Sequence, residues 1–224
     1  MLWRRVENEK RVQPNKGSWP SWKDAIAKDC CRQCVYCAIP DSRYGGLDNF
    51  HVDHFRPKAK FPALAKIITN LYLACAICNR FKSDDWPADP SDDHDSTAYP
   101  DPGVYDYGSL IELDNVCGTL TGKYVATAYM IERLFLNRPQ LIRLRRAAAL
   151  EDRIESLETF LATAIDKLRA YDEDRGTVGL LVEVGHALMG VSSAFRKREH
   201  ATPYGLNEIR KPKRSRKAKK PKGK

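Results

Sequence analysis

Two short cysteine pairs, Cys34-Val35-Tyr36-Cys37 and Cys75-Ala76-Ile77-Cys78, decide the fold of the region between them. Each pair has two residues between its cysteines, and 37 residues separate the pairs. Two thiolates at this spacing in a tight turn reach one metal ion, and two such turns complete a tetrahedral site. Four cysteine ligands leave no open coordination position, so the pattern predicts a structural Zn²⁺ site formed by Cys34, Cys37, Cys75 and Cys78.

Other roles for the seven cysteines remain open at this stage. A redox-active CxxC, or two unrelated pairs of buried thiols, would show the same spacing. Cys31-Arg32-Gln33-Cys34 is a further CxxC, but the aromatic residue inside the Cys34–Cys37 turn favours that pair as ligands. We therefore expect Cys30 and Cys31 to be ordinary thiols.

A longer pattern of polar residues surrounds the cysteine pairs. His51-Val52-Asp53-His54-Phe55-Arg56-Pro57-Lys58 lies between them, Asn70-Leu71 precedes the second pair, and Asn79 directly follows it. This order resembles the HNH (ββα-metal) endonucleases, in the variant with Asn at the final position. The resemblance spans Cys34–Lys82. It implies that Asn70 orients the loop that aims His54, and that the products carry 5′-phosphate and 3′-hydroxyl ends.

The same residues suit phosphodiester hydrolysis on chemical grounds. The reaction needs an activated water, and a neutral imidazole near pH 7 can take its proton, so His54 is the candidate general base. The side-chain oxygens of Asp53 and Asn79 are ligands that Mg²⁺ or Mn²⁺ prefers. We therefore expect one catalytic divalent ion at Asp53 and Asn79, with His54 and Asn70 as catalytic residues.

A wider resemblance extends beyond the cysteine pairs. The acidic loop after Asn79 and the stretch Leu136-Asn137-Arg138-Pro139 resemble the HNH subunits of Septu-type and retron-associated anti-phage systems. This resemblance implies a role in bacterial defence and a partner ATPase or other defence-system subunit.

Three further residues near the motif are candidate substrate contacts. Arg56 and Lys82 would bind phosphates through their positive charge. His51 would share a strand face with Asp53, so it would reach the metal or the substrate, or else serve as a hydrogen-bonded structural histidine. His94, inside Asp92-Asp93-His94-Asp95, is either a metal ligand or part of a solvated acidic loop, and we expect the second.

The positive charge of the chain is concentrated at its end. The sequence has 38 Lys and Arg against 29 Asp and Glu, and ten of the basic residues lie between Arg210 and Lys224. The rest of the chain therefore has 28 basic against 29 acidic residues. A segment so charged and so poor in apolar residues predicts a disordered tail. It would hold nucleic-acid phosphates, or act only as a solubilising or targeting tail.

Membrane insertion and export are not expected. No apolar run approaches the ~20 residues that a membrane span needs. The N-terminus becomes charged at Arg4 and lacks the apolar stretch of a signal peptide. We therefore predict a soluble cytoplasmic protein.

Turn residues and apolar periodicity predict the elements. We expect helices over Lys23–Asp29 and from about Ala76 to Lys82, a strand over Leu47–Phe55, a loop over Asp84–Asp106 and a hairpin over Leu110–Tyr129. Apolar residues at alternating spacings of three and four then predict a long helix carrying Ala147, Leu150, Ile154, Leu157, Leu161, Ala164 and Leu168. A second stripe comprises Val178, Leu181, Leu188, Val191 and Phe195. We expect these two helices to form an antiparallel hairpin packed on the core.

These expectations give an α+β protein with a small zinc-stabilised ββα-metal core and an appended, mainly helical C-terminal region. The predicted divisions are 1–30 (lead-in with a short helix), 31–108 (nuclease core with the acidic loop), 109–200 (hairpin and helices) and 201–224 (tail). The expected activity is metal-dependent hydrolysis of DNA, with RNA as the alternative substrate. The competing interpretation is a non-catalytic zinc module that binds nucleic acid or a partner protein.

Overall fold

The computed structural model describes residues 3–170, 179 and 181–190. The helices are α1 (Lys23–Asp29), α2 (Ala76–Lys82), α3 (Tyr107–Leu110), α4 (Val125–Arg133) and α5 (Pro139–Ala170), and residues 181–190 are also helical. The strands are β1 (Phe50–His54), β2 (Leu71–Cys75), β3 (Ile111–Leu113) and β4 (Leu120–Gly122). The fold is therefore α+β, as predicted, with small sheets and a helical C-terminal region.

The central unit of the fold is a ββα arrangement made of β1, β2 and α2. The two strands pair antiparallel, with Phe50 opposite Cys75 and Asp53 opposite Tyr72. All five residues of β2 are buried, and α1 packs against this strand. α2 follows β2 without a connecting loop, because Cys75 ends the strand and its Sγ accepts a hydrogen bond from the Cys78 amide. The ligand-bearing strand and helix are thus fixed to each other.

The N-terminal segment before α1 lies against this unit. The indole Nε1 of Trp3 donates to the Tyr36 carbonyl at 3.0 Å, and the Val6 amide donates to Pro102 at 2.8 Å. Gln13 bonds to both the Lys66 carbonyl and the Ile68 amide. The lead-in therefore braces the loop between β1 and β2.

The second sheet joins the core to the long helix. β3 and β4 pair antiparallel, and the side chain of Asn137 bonds to both the amide and the carbonyl of Leu120. The guanidinium of Arg145, 2% exposed, donates to Gly118 and Leu136 carbonyls. These bonds hold the first turns of α5 against the β3–β4 hairpin.

Two predicted elements need correction. The strand begins at Phe50 rather than Leu47, because Leu47–Asn49 forms a 3₁₀ turn that follows Gly46 at a φ of +85°. The predicted hairpin is shorter than Leu110–Tyr129, with three residues in each strand, and its end from Val125 onward is helical. Gly118, at a φ of +75°, lies in the connection, whereas Gly122 ends β4.

The predicted apolar stripe lies on one long helix, as expected, but little of it is core. Leu150 is 59% exposed and Leu157 is 66% exposed, so this face of α5 does not pack on the ββα unit. Near its end, α5 meets residues 181–190, since a Cβ added at Gly185 would lie 2.4 Å from Cδ1 of Ile165. Val178, Val191, Phe195 and the basic tail lie outside the described residues.

Within the part of the chain that the structure describes, no helix has the length and apolar character needed to cross a membrane.

Candidate functional site

The four cysteines of the two pairs come together at one point in the core. The Sγ atoms of Cys34, Cys37, Cys75 and Cys78 all lie within 4.8 Å of one another, and all four residues are buried. Cys75 Sγ and Cys37 Sγ are 3.8 Å apart, and every cysteine of the chain is free of disulfides. We call these four residues the cysteine cluster.

The geometry of the cysteine cluster fits a structural Zn²⁺ ion. The Ala38 amide donates to the Cys34 carbonyl with Ala38 at a φ of +55°, which closes a tight turn around the first pair. Burial and the neighbouring thiols raise the pKa of Cys34, so a bound cation is what would stabilise its thiolate. Four buried sulfur donors are the ligand set of a closed tetrahedral zinc site. Cys31 is exposed and outside the cluster, which resolves the alternative pairing.

The polar residues of the motif line an open cleft next to the cluster. The cleft has a volume of about 500 Å³. β1 and α2 of the ββα unit both contribute residues to it. Its lining includes Trp19, His51, Asp53, His54, Lys58 and Asn79.

Asp53 is held by two donors on one oxygen. The Tyr36 hydroxyl donates to its Oδ2 at 2.6 Å, and Nζ of Lys82 lies 3.3 Å from the same atom. Asp53 is 4% exposed, and polar groups buried to this extent are stabilised by such partners. Oδ1 takes part in neither contact, which leaves it for a hard cation in the cleft.

The ring of His54 has a defined orientation. Its Nε2 lies 3.1 Å from the Ala65 carbonyl, and because a carbonyl only accepts, Nε2 carries the hydrogen. In the neutral ring, Nδ1 is then the unprotonated nitrogen. Burial lowers the pKa of His54, against the opposing effects of the Ala65 carbonyl and Asp53, and so favours the neutral form. The ring can accept a proton at Nδ1.

Asn70 closes the loop that carries Ala65. Its Oδ1 accepts from the Arg56 amide at 2.8 Å, and its Nδ2 donates to the carbonyls of Arg56 and Leu64 at 3.1 and 3.3 Å. Asn70 is buried and does not line the cleft. This placement supports an orienting role, as the family resemblance implies.

Asn79 reaches the cleft from α2. It directly follows Cys78, a member of the cysteine cluster, and its side chain is half-buried. Asn79 and Asp53 line the same cleft, and amide and carboxylate oxygens are ligands that Mg²⁺ or Mn²⁺ prefers.

The three residues predicted to contact the substrate have different environments in the structure. His51 is exposed and lines the cleft. Lys82 is 0% exposed, with Nζ 2.9 Å from the His54 carbonyl, so it holds β1 and has no surface to offer a substrate. Arg56 turns away toward Asp89, 3.3 Å distant, and lies over the Trp86 ring. The structure therefore retains His51 in the cleft and places Lys82 and Arg56 in supporting contacts.

Sequence reasoning missed the roles of two residues at the site, Trp19 and Tyr36. Trp19 lies edge-on to His54 with a ring-centroid distance of 5.5 Å, and Lys58 places Nζ 5.0 Å above the Trp19 ring. Tyr36 was seen only as part of the first cysteine turn. Nothing in the sequence links Trp19 to His54. For Tyr36 the sequence does contain a signal, because a tyrosine between two predicted zinc ligands lies close to the site.

His94 is not part of a metal site. The expectation of a solvated position is wrong as well, because His94 is 6% exposed and lies between Tyr105 and Tyr124. Its carbonyl accepts from the Ala126 amide at the start of α4. Among the described residues, the cysteine cluster is the one group of three or more His, Cys, Asp or Glu side chains close enough to hold a metal ion.

Comparison with known proteins agrees with this geometry. No curated protein and no solved structure matches the chain. Residues 34–85 match the family model described as HNH endonuclease, a range that contains the cysteine cluster, β1, β2 and α2. The chain therefore contains an HNH endonuclease domain at residues 34–85.

Proposed function

We propose that this protein is a metal-dependent endonuclease that hydrolyses phosphodiester bonds of DNA. The observation that carries the proposal is that Asp53, His54 and Asn79 line one cleft, while His54 is held in the tautomer that a general base needs. A zinc module that only binds nucleic acid has no use for this combination.

Metal binding is assigned to the oxygen donors of Asp53 and Asn79. A Mg²⁺ or Mn²⁺ ion held there would supply a Lewis acid for the phosphate and for the charge on the leaving oxygen. Lys82 and Tyr36 fix Asp53 through Oδ2, so the carboxylate enters the cleft in a set orientation. Asn79 is fixed because α2 begins at the cysteine cluster.

Proton transfer is assigned to His54. Nδ1 takes a proton from a water molecule. The oxygen of that water forms the new bond to phosphorus, and the bond from phosphorus to the 3′-oxygen breaks. The imidazolium that results keeps its Nε2 hydrogen bond to the Ala65 carbonyl. The Asp53 carboxylate also favours this positive charge. The products are 5′-phosphate and 3′-hydroxyl ends, as in the nucleases that the motif resembles.

The experiment is plasmid cleavage by zinc-loaded protein in Mg²⁺, in Mn²⁺ and in EDTA. Asp53→Ala is compared with Asp24→Ala, an exposed carboxylate of α1. We expect metal-dependent nicking by the wild type and by Asp24→Ala, and its loss in EDTA and in Asp53→Ala. A chain that retards the plasmid on a gel but never cuts it, in either metal, would favour the non-catalytic zinc module instead.

We also propose a role in bacterial anti-phage defence with a partner ATPase, in the cytoplasm. The support is the wider resemblance at residues 136–139 and in the acidic loop. Phage plating on bacteria that express the chain from its native operon tests this role. We expect plating to fall with the wild-type chain and to recover with Asp53→Ala. Equal plating on both would contradict the defence role and leave the nuclease assay unaffected.

A further inference from the structure

The guanidinium of Arg138 lies over the cysteine cluster. Its Nη1 and Nη2 are 3.8 and 3.7 Å from Sγ of Cys78, and Nη2 is also 4.0 Å from Sγ of Cys75. Two N–H groups of one planar fork thus face the sulfur of the cysteine that precedes Asn79. Arg138 lies outside residues 34–85, so this contact joins the HNH domain to the C-terminal region.

Arg138 is held in place by its own surroundings. Nη1 also donates to the carbonyls of Leu134 and Phe135, both at 3.3 Å. The preceding residue, Asn137, is locked to Leu120, and Arg145 donates to Asn137 Oδ1 at 3.3 Å. The guanidinium is therefore positioned by the junction between the β3–β4 hairpin and α5, and is not a mobile surface charge.

The positive charge of Arg138 lies where it would offset the negative charge of a zinc-loaded cysteine cluster. Four thiolates around one Zn²⁺ ion leave a net negative charge, and a buried charge costs free energy unless a cation or hydrogen-bond donor offsets it. Groups that bond to metal ligands from outside the coordination sphere orient those ligands and tune the affinity for the metal. Nη1 and Nη2 of Arg138 are such groups for Cys78 and Cys75.

We propose that Arg138 is the outer-sphere cation of the zinc site, and that zinc retention depends on the Asn137-Arg138 junction outside the HNH domain. This gives a role to the Leu136-Asn137-Arg138-Pro139 motif, which catalysis does not use. Because Asn79 directly follows Cys78, the same contact helps to hold a catalytic ligand in position. The proposal rests on the cysteine cluster and does not require the chain to be a nuclease.

The test uses full-length zinc-loaded Arg138→Gln beside Arg143→Gln, an exposed arginine of α5 that serves as a matched control. Zinc release to a colorimetric chelator is followed over time. We expect release from Arg138→Gln to be faster by about tenfold or more. Arg143→Gln should release zinc at the wild-type rate. Equal release from Arg138→Gln and the wild type would overturn the proposal.

A second measurement separates an effect on sulfur from a general loss of stability. In the Co²⁺-substituted protein, losing N–H donors to Cys78 raises the energy of the sulfur lone pairs, so the sulfur-to-cobalt charge-transfer band should move to lower energy. Arg138→Lys keeps a positive charge but loses the planar fork, and we expect an intermediate shift. Unshifted bands in both Arg138 variants would show that Arg138 supports the fold only, and would overturn the proposal.

Discussion

At the scale of single residues, the neighbours of His54 determine when it can act as a base. Nε2 is committed to the Ala65 carbonyl, and His54 is 8% exposed. Burial is the main cause that lowers its pKa below the ordinary value of about 6.5. The ring is therefore neutral, and Nδ1 is free of a proton, at neutral pH.

The pH dependence of cleavage follows from this shift. A base must be deprotonated, so the rate should rise with pH through the pKa of His54 and then level off. Because that pKa is lowered, we expect the half-maximal point of the acidic limb below about 6.5. A pH–rate profile at saturating Mg²⁺ measures it. An acidic limb centred well above that value would contradict the assignment of His54.

A second residue-scale prediction concerns the Tyr36 hydroxyl. A group that hydrogen-bonds to a metal ligand from outside the coordination sphere holds that ligand in position, and its loss typically lowers the affinity for the metal by about 10- to 100-fold. Tyr36→Phe should therefore raise the Mg²⁺ concentration for half-maximal cleavage by about tenfold, because Asp53 loses one of its two donors.

Elemental analysis of Tyr36→Phe should show zinc at the wild-type level, since the thiols are unchanged. Tyr44→Phe is the matched control, because the Tyr44 ring contacts Phe50 rather than Asp53. An unaltered Mg²⁺ dependence in Tyr36→Phe would refute the positioning of Asp53 by this hydroxyl.

At the scale of elements, the loop between β1 and β2 orients the imidazole ring of His54. It is closed at one end by Asn70 and braced from the N-terminal segment by Gln13, with Ala65 between these contacts. An error of about 1 Å in the placement of a catalytic group can cost about 100-fold in rate. In the proposed reaction the loop would therefore affect the rate, although most of it does not line the cleft.

Asn70→Ala should reduce kcat by about 100-fold and leave the Mg²⁺ dependence close to that of the wild type. The reason is that the loop loses three hydrogen bonds while Asp53 keeps its contacts with Tyr36 and Lys82. Single-turnover cleavage across Mg²⁺ concentrations measures both quantities. Asn115→Ala, at an exposed position, is the control. A variant that lost Mg²⁺ affinity instead of rate would place Asn70 at the metal.

Local patterns in the sequence predicted the elements that carry the site, but not how their side chains are used. α1 and α2 have the expected bounds, and the four cysteines meet as their spacing indicates. The prediction that Lys82 contacts the substrate is wrong. The sequence shows that Lys82 carries a charge, but not that its side chain is buried against Asp53. Trp19 was missed because its contact with His54 depends on the path of the lead-in.

The apolar stripe of α5 shows a different limit of sequence reasoning. Periodicity predicts which residues share a helix face, and the single helix over Pro139–Ala170 agrees with it. Whether that face is covered depends on tertiary packing, and Leu150 and Leu157 are exposed. Polar contacts help to anchor this helix to the fold, from Asn137 and Arg145 near its start and from the ion pair of Glu151 with Arg43.

At the scale of the whole molecule, the cysteine cluster connects the parts that the reaction needs. Its first turn carries Tyr36, which bonds to Asp53, and its second turn leads directly to Asn79. Arg138 adds the C-terminal region. A single zinc ion in the cluster would thus fix the positions of Asp53 and Asn79, the two proposed ligands of the catalytic ion, relative to each other.

Removal of zinc should abolish cleavage in a way that added Mg²⁺ does not restore. Binding of a structural zinc contributes on the order of 10 kcal/mol to folding in small zinc domains. We therefore expect a strong chelator of zinc to lower the Tm and to remove near-ultraviolet circular dichroism, with recovery when Zn²⁺ is returned. Protein that stays folded and active in Mg²⁺ after complete zinc removal would contradict a structural role for the cluster.

The measurement that tests the central claim most directly is plasmid cleavage by His54→Ala in Mg²⁺, with zinc content verified. His186→Ala, an exposed histidine in the helix at residues 181–190, is the control. Loss of a general base should reduce the rate by about 100-fold or more. We predict this reduction in His54→Ala and a wild-type rate in His186→Ala. Equal cleavage by His54→Ala and the wild type would contradict the assignment of this cleft as the catalytic centre.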